Sequence, residues 1–175
     1  MADMKQILQE QCYATIVKYL EGETFLDVGC GLGYGTMQLS KLYPGKWHGL
    51  DFSEYTTGRA KELFPSIPFY YAKNFDLSVC TKRMFDSTVC SETLGRVDED
   101  WKLLQGTMRI TRGILVISAP CIPINNPGQI RLYTKDSLSE LLGVNKKYHY
   151  KIVEDKPFLF AKVWHKKQKF LNEQM

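Results

Sequence analysis

Residues 27 to 35 read Asp27-Val28-Gly29-Cys30-Gly31-Leu32-Gly33-Tyr34-Gly35, four glycines at alternate positions behind an acid, and a second acid, Asp51, follows Gly31 by 20 residues. Glycines at a strand-to-helix turn let the backbone approach a ligand without Cβ atoms in the way. A carboxylate about 20 residues further on can accept hydrogen bonds from a ribose diol. A phosphate-cradling loop would have to end in Gly-Lys-Ser/Thr, and this one does not. A dinucleotide turn of the form G-x-G-x-x-G fails in both registers, since the sixth position is Tyr34 counted from Gly29 and Thr36 counted from Gly31. Each acid also has a plain structural reading, Asp51 as a charge at a helix N-terminus beside Ser53 and Asp27 as a packing residue.

These residues need strands and helices to hold them. The spacing predicts a helix over residues 4–20 ended by Gly22, and a buried strand over 24–28 that runs into the glycine turn. It then predicts a helix over 35–43, a strand over 46–51, a helix over 53–64 capped by Ser53, and a strand over 68–72. Further on come a strand over 85–90, a helix over 98–111 ended by Gly113, and an apolar central strand over 114–118. A Pro-rich loop (Pro120, Pro123, Pro127) leads to a helix over 135–142 and two strands, 148–154 and 158–165. Alternating strands and helices imply an α/β protein with a largely parallel, doubly wound sheet. Only a short turn around Asp155-Lys156-Pro157 joins the last two strands, too short for a parallel crossover, so the final strand is expected to be antiparallel.

At about 150 residues per domain, 175 residues make one domain. Its expected parts are an N-terminal helix (1–22), a core (23–165) and a basic tail (166–175). With 23 basic and 19 acidic side chains the net charge is +4, and residues 146–169 hold eight lysines against Glu154 and Asp155. That excess suits a solvated, edge-protecting hairpin better than an anionic partner. The five cysteines include no CxxC pair, and the three histidines stand apart from them, so no metal site is expected. The odd, scattered cysteines and the lack of an N-terminal apolar segment point to a cytoplasmic protein, and no apolar run is long enough to span a membrane.

The segment Phe25-Leu26-Asp27-Val28-Gly29-Cys30-Gly31-Leu32-Gly33 closely resembles the first motif of the class I S-adenosylmethionine-dependent methyltransferases. The resemblance continues in Gly49-Leu50-Asp51-Phe52-Ser53, Phe85-Asp86, Ser91-Glu92-Thr93-Leu94, Arg112 to Ser118 leading to Pro120, and Arg131-Leu132-Tyr133-Thr134 with Leu138, Leu141 and Leu142. It covers roughly residues 10–165 and looks like the small-molecule branch of that family. It implies a Rossmann-like seven-stranded sheet in the order 3-2-1-4-5-7-6, and S-adenosylmethionine as cofactor with S-adenosylhomocysteine as product. The implied cofactor residues are Asp27 near the cationic arm, Gly29, Cys30, Gly31 and Gly33 in the turn, and Asp51 on the ribose. Phe52 would wall the adenine, with Asn74, or else Asp76, on its amine and Phe75 also among the cofactor residues, and Cys90 and Ser91 would lie under the methionine arm.

On the acceptor side, Glu92 is the candidate base. Arg96 stands where similar sequences of the pattern Ser-Glu-x-Leu-x-His-Val carry histidine, which suggests an acceptor that needs no base or an anionic one held by Arg96. The Asn/Asp/Ser-Pro-Pro-Tyr/Phe clamp of DNA and protein amine methylases is absent. Pro120-Cys121 resembles the nucleophilic cysteine of RNA cytosine methylases, but the chain has no added RNA-binding domain and such a cysteine reads as a small buried hydrophobe. A small molecule or the end of a glycan is therefore the expected acceptor and nucleic acid is not. The competing reading, a non-catalytic cofactor-binding protein or partner subunit, rests on Gly95-Arg96.

Overall fold

A computed structural model describes residues 4–123 and 128–166; Pro127 of the expected Pro-rich loop and residues 167–175 of the expected basic tail lie outside them. The helices are α1 (Met4–Ile16), α2 (Tyr34–Leu42), α3 (Glu54–Leu63), α4 (Asp100–Ile110) and α5 (Lys135–Gly143). The strands are β1 (Thr24–Val28), β2 (Lys46–Asp51), β3 (Phe69–Tyr71), β4 (Phe85–Ser91), β5 (Thr111–Pro120), β6 (Tyr148–Asp155) and β7 (Phe158–His165). They form one seven-stranded sheet in the order β3-β2-β1-β4-β5-β7-β6. β1 to β5 pair in parallel, and β7 runs antiparallel to both β5 and β6. The expected order and the reversed last strand are both present.

The apolar runs follow from burial on both faces of the sheet. Along β5, Leu115 and Ile117 enter a core packed under α4 and α5 with Leu103, Met108, Leu138 and Leu142. Their neighbours Ile114 and Val116 enter the opposite core with Ile16 and Leu20 from the N-terminal segment and Leu39 of α2. β1 splits in the same way, Leu26 to the first core and Phe25 to the second, where Phe25 stacks on Trp47 at 4.8 Å between ring centroids. Ser53 caps α3 as expected, accepting from the Thr56 N–H at 3.3 Å.

Some boundaries differ, and the first helix, expected to run to residue 20, stops at Ile16 before a 3-10 turn over Val17–Tyr19. The helix expected to end at Gly113 stops at Ile110, and Gly113 lies inside β5. Thr111 turns the chain to extended geometry and donates its hydroxyl to the Thr107 carbonyl at 2.6 Å. A threonine thus closes the helix by local side-chain bonding, and the strand begins with no intervening loop. The lysine-rich hairpin is paired in part, with Lys162 on Glu21 at 2.8 Å and Lys156 on Glu154 at 3.7 Å.

At the end of the sheet away from the glycine turn, Asp86 ties β4 to the start of β1. It accepts from the Glu23 and Thr24 N–H groups and the Thr24 hydroxyl, and pairs with Arg112. Partial burial works against its charge, but these bonds outweigh burial and hold its pKa below the usual carboxylate value. Asp86→Ala leaves two N–H donors without their carboxylate and should lower unfolding stability by about 1–3 kcal/mol, read from the shift in urea midpoint at pH 7. Because the pKa is depressed, the difference between wild type and variant should be full above about pH 5 and shrink as pH falls below 4. A difference that stays constant down to pH 2 would show that the charge contributes nothing.

Candidate functional site

β1 pairs with β2 on one side and β4 on the other, so the chain crosses the sheet in opposite directions from β1, and the crevice outside its carboxyl end is the natural ligand site of such a sheet. The turn leaving β1 is bonded to the end of β2: the Gly29 and Cys30 N–H groups donate to the Leu50 carbonyl at 2.7 and 3.0 Å. Asp51 carries the next contacts. Its Oδ2 accepts from the Gly31 N–H at 2.8 Å, and its Oδ1 from the Ser53 N–H at 3.0 Å and the Thr56 hydroxyl at 2.7 Å.

The four glycines have different reasons. At Gly31, with φ at +55°, a Cβ would meet nothing within 4 Å, so this is the position where the bare backbone faces open cleft. At Gly29 a Cβ would collide with Thr93, at Gly33 with Phe69 and at Gly35 with the phenol oxygen of Tyr13. Close ligand approach therefore explains Gly31, whereas the other three let the turn pack on β4's tip, β3 and α1. Gly33 itself is the left-handed residue that precedes α2.

The crevice is a cleft of about 1260 Å³ whose lining includes Asp27, Gly29, Cys30, Gly31, Asp51, Phe52, Phe75, Ser91, Glu92 and Arg96. Asp27 is 5% exposed and accepts from the Thr36 hydroxyl at 2.8 Å. Burial pushes its pKa up to about 6 and nearby Asp51 adds to the rise, against the lowering effect of Thr36. Phe52 and Phe75 meet edge to face at 4.6 Å and form an aromatic corner at one end. Glu92 and Thr93 form the turn after β4: the Glu92 N–H donates to the Ser118 carbonyl at 2.8 Å and the Thr93 hydroxyl to the Val28 carbonyl at 3.1 Å. Glu92 has φ at +53°, a left-handed conformation that costs a non-glycine residue about 1–3 kcal/mol. Three acids against one arginine make the cleft attractive to a cation.

Asn74 and Asp76 do not join this set. Asn74 (φ 51°) and Phe75 (φ 60°) are both left-handed, and this double reversal leaves Phe75 on the cleft while Asn74 and Asp76 line a neighbouring depression of about 820 Å³ with Lys102 and Arg109. Cys90 sits beneath the cleft floor at 2% exposure, and burial raises its pKa to about 12. Burial also raises the pKa of Cys121, whose thiol donates to the Pro157 carbonyl at 3.2 Å. Among the described residues, no group of three or more His, Cys, Asp and Glu could hold a metal ion.

The sequence reading missed the wall built by α1, which brings Leu8, Gln9 and Tyr13 into the cleft, and also Thr56, Val97, Pro123 and Phe158. A phenol on the otherwise apolar face of the first helix was the available signal for Tyr13.

Cofactor fit can be judged from these groups. A sulfonium with an adenosine on one side and an amino acid on the other needs a Cβ-free backbone edge, an aromatic corner, an acid for each end and room for an acceptor. Gly31, the Phe52–Phe75 corner, Asp51 and Asp27 supply the first three. The cleft exceeds the roughly 300–1,000 Å³ of a typical small-ligand site, so S-adenosylmethionine fits the residues present.

The comparisons with known proteins agree with that fit. No curated protein sequence matches this chain. Among solved structures, an S-adenosylmethionine-dependent methyltransferase from Aquifex aeolicus is similar at 20% identity and a TM-score of 0.73, covering 93% of each chain. Magnesium protoporphyrin IX methyltransferase from Synechocystis, solved with S-adenosylhomocysteine bound, is similar at 15% identity and a TM-score of 0.71, covering 94% of this chain and 88% of that one. The cyclase SpnF shares the fold at 14% identity and a TM-score of 0.71, covering 90% and 81%. A family model described as a methyltransferase domain matches residues 25–113, the stretch from β1 through Asp51 and the β4 tip into β5. Because that match spans just over half of the chain and contains most of the residues that shape the cleft, the chain belongs to the methyltransferase domain family.

Proposed function

We propose that the chain transfers the methyl group of S-adenosylmethionine to a small-molecule or glycan-end acceptor by in-line displacement. The observation that carries this reading is the convergence of Asp27, Asp51 and the Gly31 backbone on one cleft. The cofactor, when bound, supplies an electrophilic methyl on a sulfonium, so the protein's work is alignment and exclusion of water. Of roughly four lone-pair directions on Asp51, three are taken by Gly31, Ser53 and Thr56, and the remaining one on Oδ2 meets a ribose hydroxyl. Asp27 pairs with the ammonium, Phe52 and Phe75 hold the adenine, and Ser91 lies under the methionine arm. Glu92 faces the acceptor and removes its proton where it has one, and Arg96 holds an anionic part of the acceptor. Five unpaired cysteines suit a reducing compartment such as the cytoplasm. No helix among the described residues is long and apolar enough to cross a membrane.

Calorimetry tests the cofactor. The protein should bind S-adenosylmethionine and S-adenosylhomocysteine, and Asp51→Ala should weaken both by roughly tenfold to several hundredfold, the worth of one charge-assisted hydrogen bond to the ribose together with the released Gly31 turn. Heat of binding with NAD(H) and none with either adenosyl compound would overturn the reading.

Asp27 makes the binding pH-dependent. Its raised pKa means that the folded protein holds this proton more tightly than the unfolded chain does. The group's contribution to stability is therefore greatest below about pH 4 and declines as pH rises through about 6, where the buried charge must be carried. An ammonium beside it favours the ionised form, so binding expels the proton. Affinity for S-adenosylhomocysteine should be flat from pH 7 to 8 and fall by up to about tenfold per pH unit below 6. An affinity unchanged from pH 5 to 8 would show that Asp27 does not meet the ammonium.

Glu92→Gln keeps shape and hydrogen-bonding capacity on the acceptor side. It should leave cofactor affinity within about threefold and lower turnover by ~100-fold or more with an acceptor that must lose a proton. Unchanged turnover would leave catalysis to alignment alone.

A further inference from the structure

The cleft runs along the carboxyl edge of the sheet and has two halves. Phe75 past β3, Asp51 and Phe52 at β2, and Asp27 and Gly31 at β1 line one of them, and Pro123 past β5 and Phe158 opening β7 line the other. β7 runs antiparallel to β5, so its first residue stands at this same edge, with Phe158 opposite Pro120. Neighbouring strands lie about 4.8 Å apart, which puts β7 about 19 Å from β2 by way of β1, β4 and β5. The cofactor residues all belong to the first half. In the second, Leu8 of α1, Val97, Pro123 and Phe158 form an apolar wall, and Leu8 packs on the cluster that contains Phe158.

The neutral polar groups of this half are engaged within the protein. The Thr93 hydroxyl donates to the Val28 carbonyl, the Ser91 and Ser118 hydroxyls bond each other at 2.8 Å, and the Val97 carbonyl accepts from Arg131. The Cys121 N–H and thiol both go to the Pro157 carbonyl, at 2.9 and 3.2 Å, and Pro120, Pro123 and Pro157 have no N–H to offer. The charged side chains here are Glu92 at the β4 tip and the exposed Arg96 at the rim. A sugar ring brings several hydroxyls, and each one left without a partner against such a wall costs about 1–3 kcal/mol. An apolar ring or chain instead gains about 25 cal/mol for each Å² it buries there. A single guanidinium suits one carboxylate-like group. Resting on the methyl-transfer reading above, we infer that the acceptor is a hydrophobic organic acid and not a glycan: an apolar ring or chain seated on Leu8, Val97, Pro123 and Phe158, with one anionic group on Arg96. The positive sulfonium of the bound cofactor favours the same anion.

Two fluorescent dyes with one aromatic body test this. Anilinonaphthalene sulfonate carries an anion, and phenylnaphthylamine is the same body without it. With saturating S-adenosylhomocysteine filling the first half, the whole protein should bind both dyes, the anionic one more tightly. Arg96→Glu should weaken the anionic dye by roughly 4- to 25-fold, an exposed charge pair lost and a repulsion of similar size gained, and leave the neutral dye within about twofold. Leu8→Asn should weaken both dyes alike, by about threefold or more, because it removes apolar wall. Thermal midpoints confirm that both variants fold, so that the dyes do not report loosened structure. Decanoate should displace the anionic dye and maltotriose should displace neither. Displacement by maltotriose, absence of dye binding, equal loss of both dyes in Arg96→Glu, or expulsion of the dyes by S-adenosylhomocysteine overturns the inference and leaves the cofactor reading standing. Failure of the unaltered protein to bind S-adenosylhomocysteine, read separately by calorimetry, overturns the cofactor reading and the inference with it.

Discussion

The carboxylate of Asp51 holds the site together. One oxygen fixes the Gly31 N–H in the turn after β1, and the other fixes the Ser53 N–H and Thr56 hydroxyl at the start of α3. Two segments with no covalent continuity thereby share one anchor at the carboxyl end of β2. Each such bond to a charged acceptor is worth about 1.5–3 kcal/mol, and an N–H buried without its acceptor costs a similar amount. The glycine turn could not keep its shape by packing alone, because at Gly31 a side chain would meet no neighbour at all. A turn that must stay bare to admit a ligand has to be held by hydrogen bonds to its backbone, and the Leu50 carbonyl with Asp51 provides them.

The same end of the sheet carries a deliberate electrostatic cost. Asp27 is 5% exposed, with the Thr36 hydroxyl as its hydrogen-bond partner, and burial lifts its pKa to about 6. At neutral pH it remains largely charged, and a buried charge without a counter-ion destabilises the fold. A cationic ligand removes that cost, so part of the affinity is stored in the unliganded protein as strain of charge rather than of geometry. Glu92 stores the other kind, a left-handed backbone pinned between β4 and the Ser118 carbonyl. Both lie on the cleft, where sites commonly accept such costs.

Local pattern made the sheet legible. β5 and β1 are buried on both faces and so read as apolar runs, with Asp27 the charged residue in β1, Ser53 announced its helix, and the short Lys156-Pro157 turn dictated the antiparallel pair. The acid 20 residues after Gly31 was legible because strand and turn lengths fix where it must fall. The misplacements have non-local or conformational causes. Asn74 was expected on the cleft from its place in the chain; with two successive left-handed residues there, it lines the neighbouring depression while Phe75 borders both. Gly113 looked like a helix stop, but Thr111 had already closed the helix through its own hydroxyl. Pro123 and Phe158 reach the cleft only through tertiary packing, of which the spacing of the chain carries no trace, and the trace of Tyr13 was no more than a phenol on the first helix.

The acceptor side bears on which reaction this member of the family carries out, since the same fold is found both in methyltransferases and in the cyclase SpnF. Gly95-Arg96 was the feature that favoured a protein without activity, and the packing around it argues otherwise. A Cβ at Gly95 would collide with Gln129 and with the Arg131 carbonyl, and the Gly95 carbonyl accepts from both the Ile130 and Arg131 N–H groups, at 2.9 and 3.1 Å. Arg131 then bonds the Val97 carbonyl and pairs with Asp100 at 2.8 Å, and the Tyr133 hydroxyl donates to the same carboxylate at 2.6 Å. The segment after β5 is thus bonded backbone to backbone onto the turn that carries Arg96, and only glycine admits so close an approach. Gly95 is accounted for by assembly of the acceptor side, with no loss of machinery required to explain it. What remains particular to this chain is Arg96 itself, a permanent cation at the mouth of an otherwise acidic cleft. A cation there does not suit the sulfonium end, and on the proposed reading Arg96 would face the acceptor and favour one that carries negative charge.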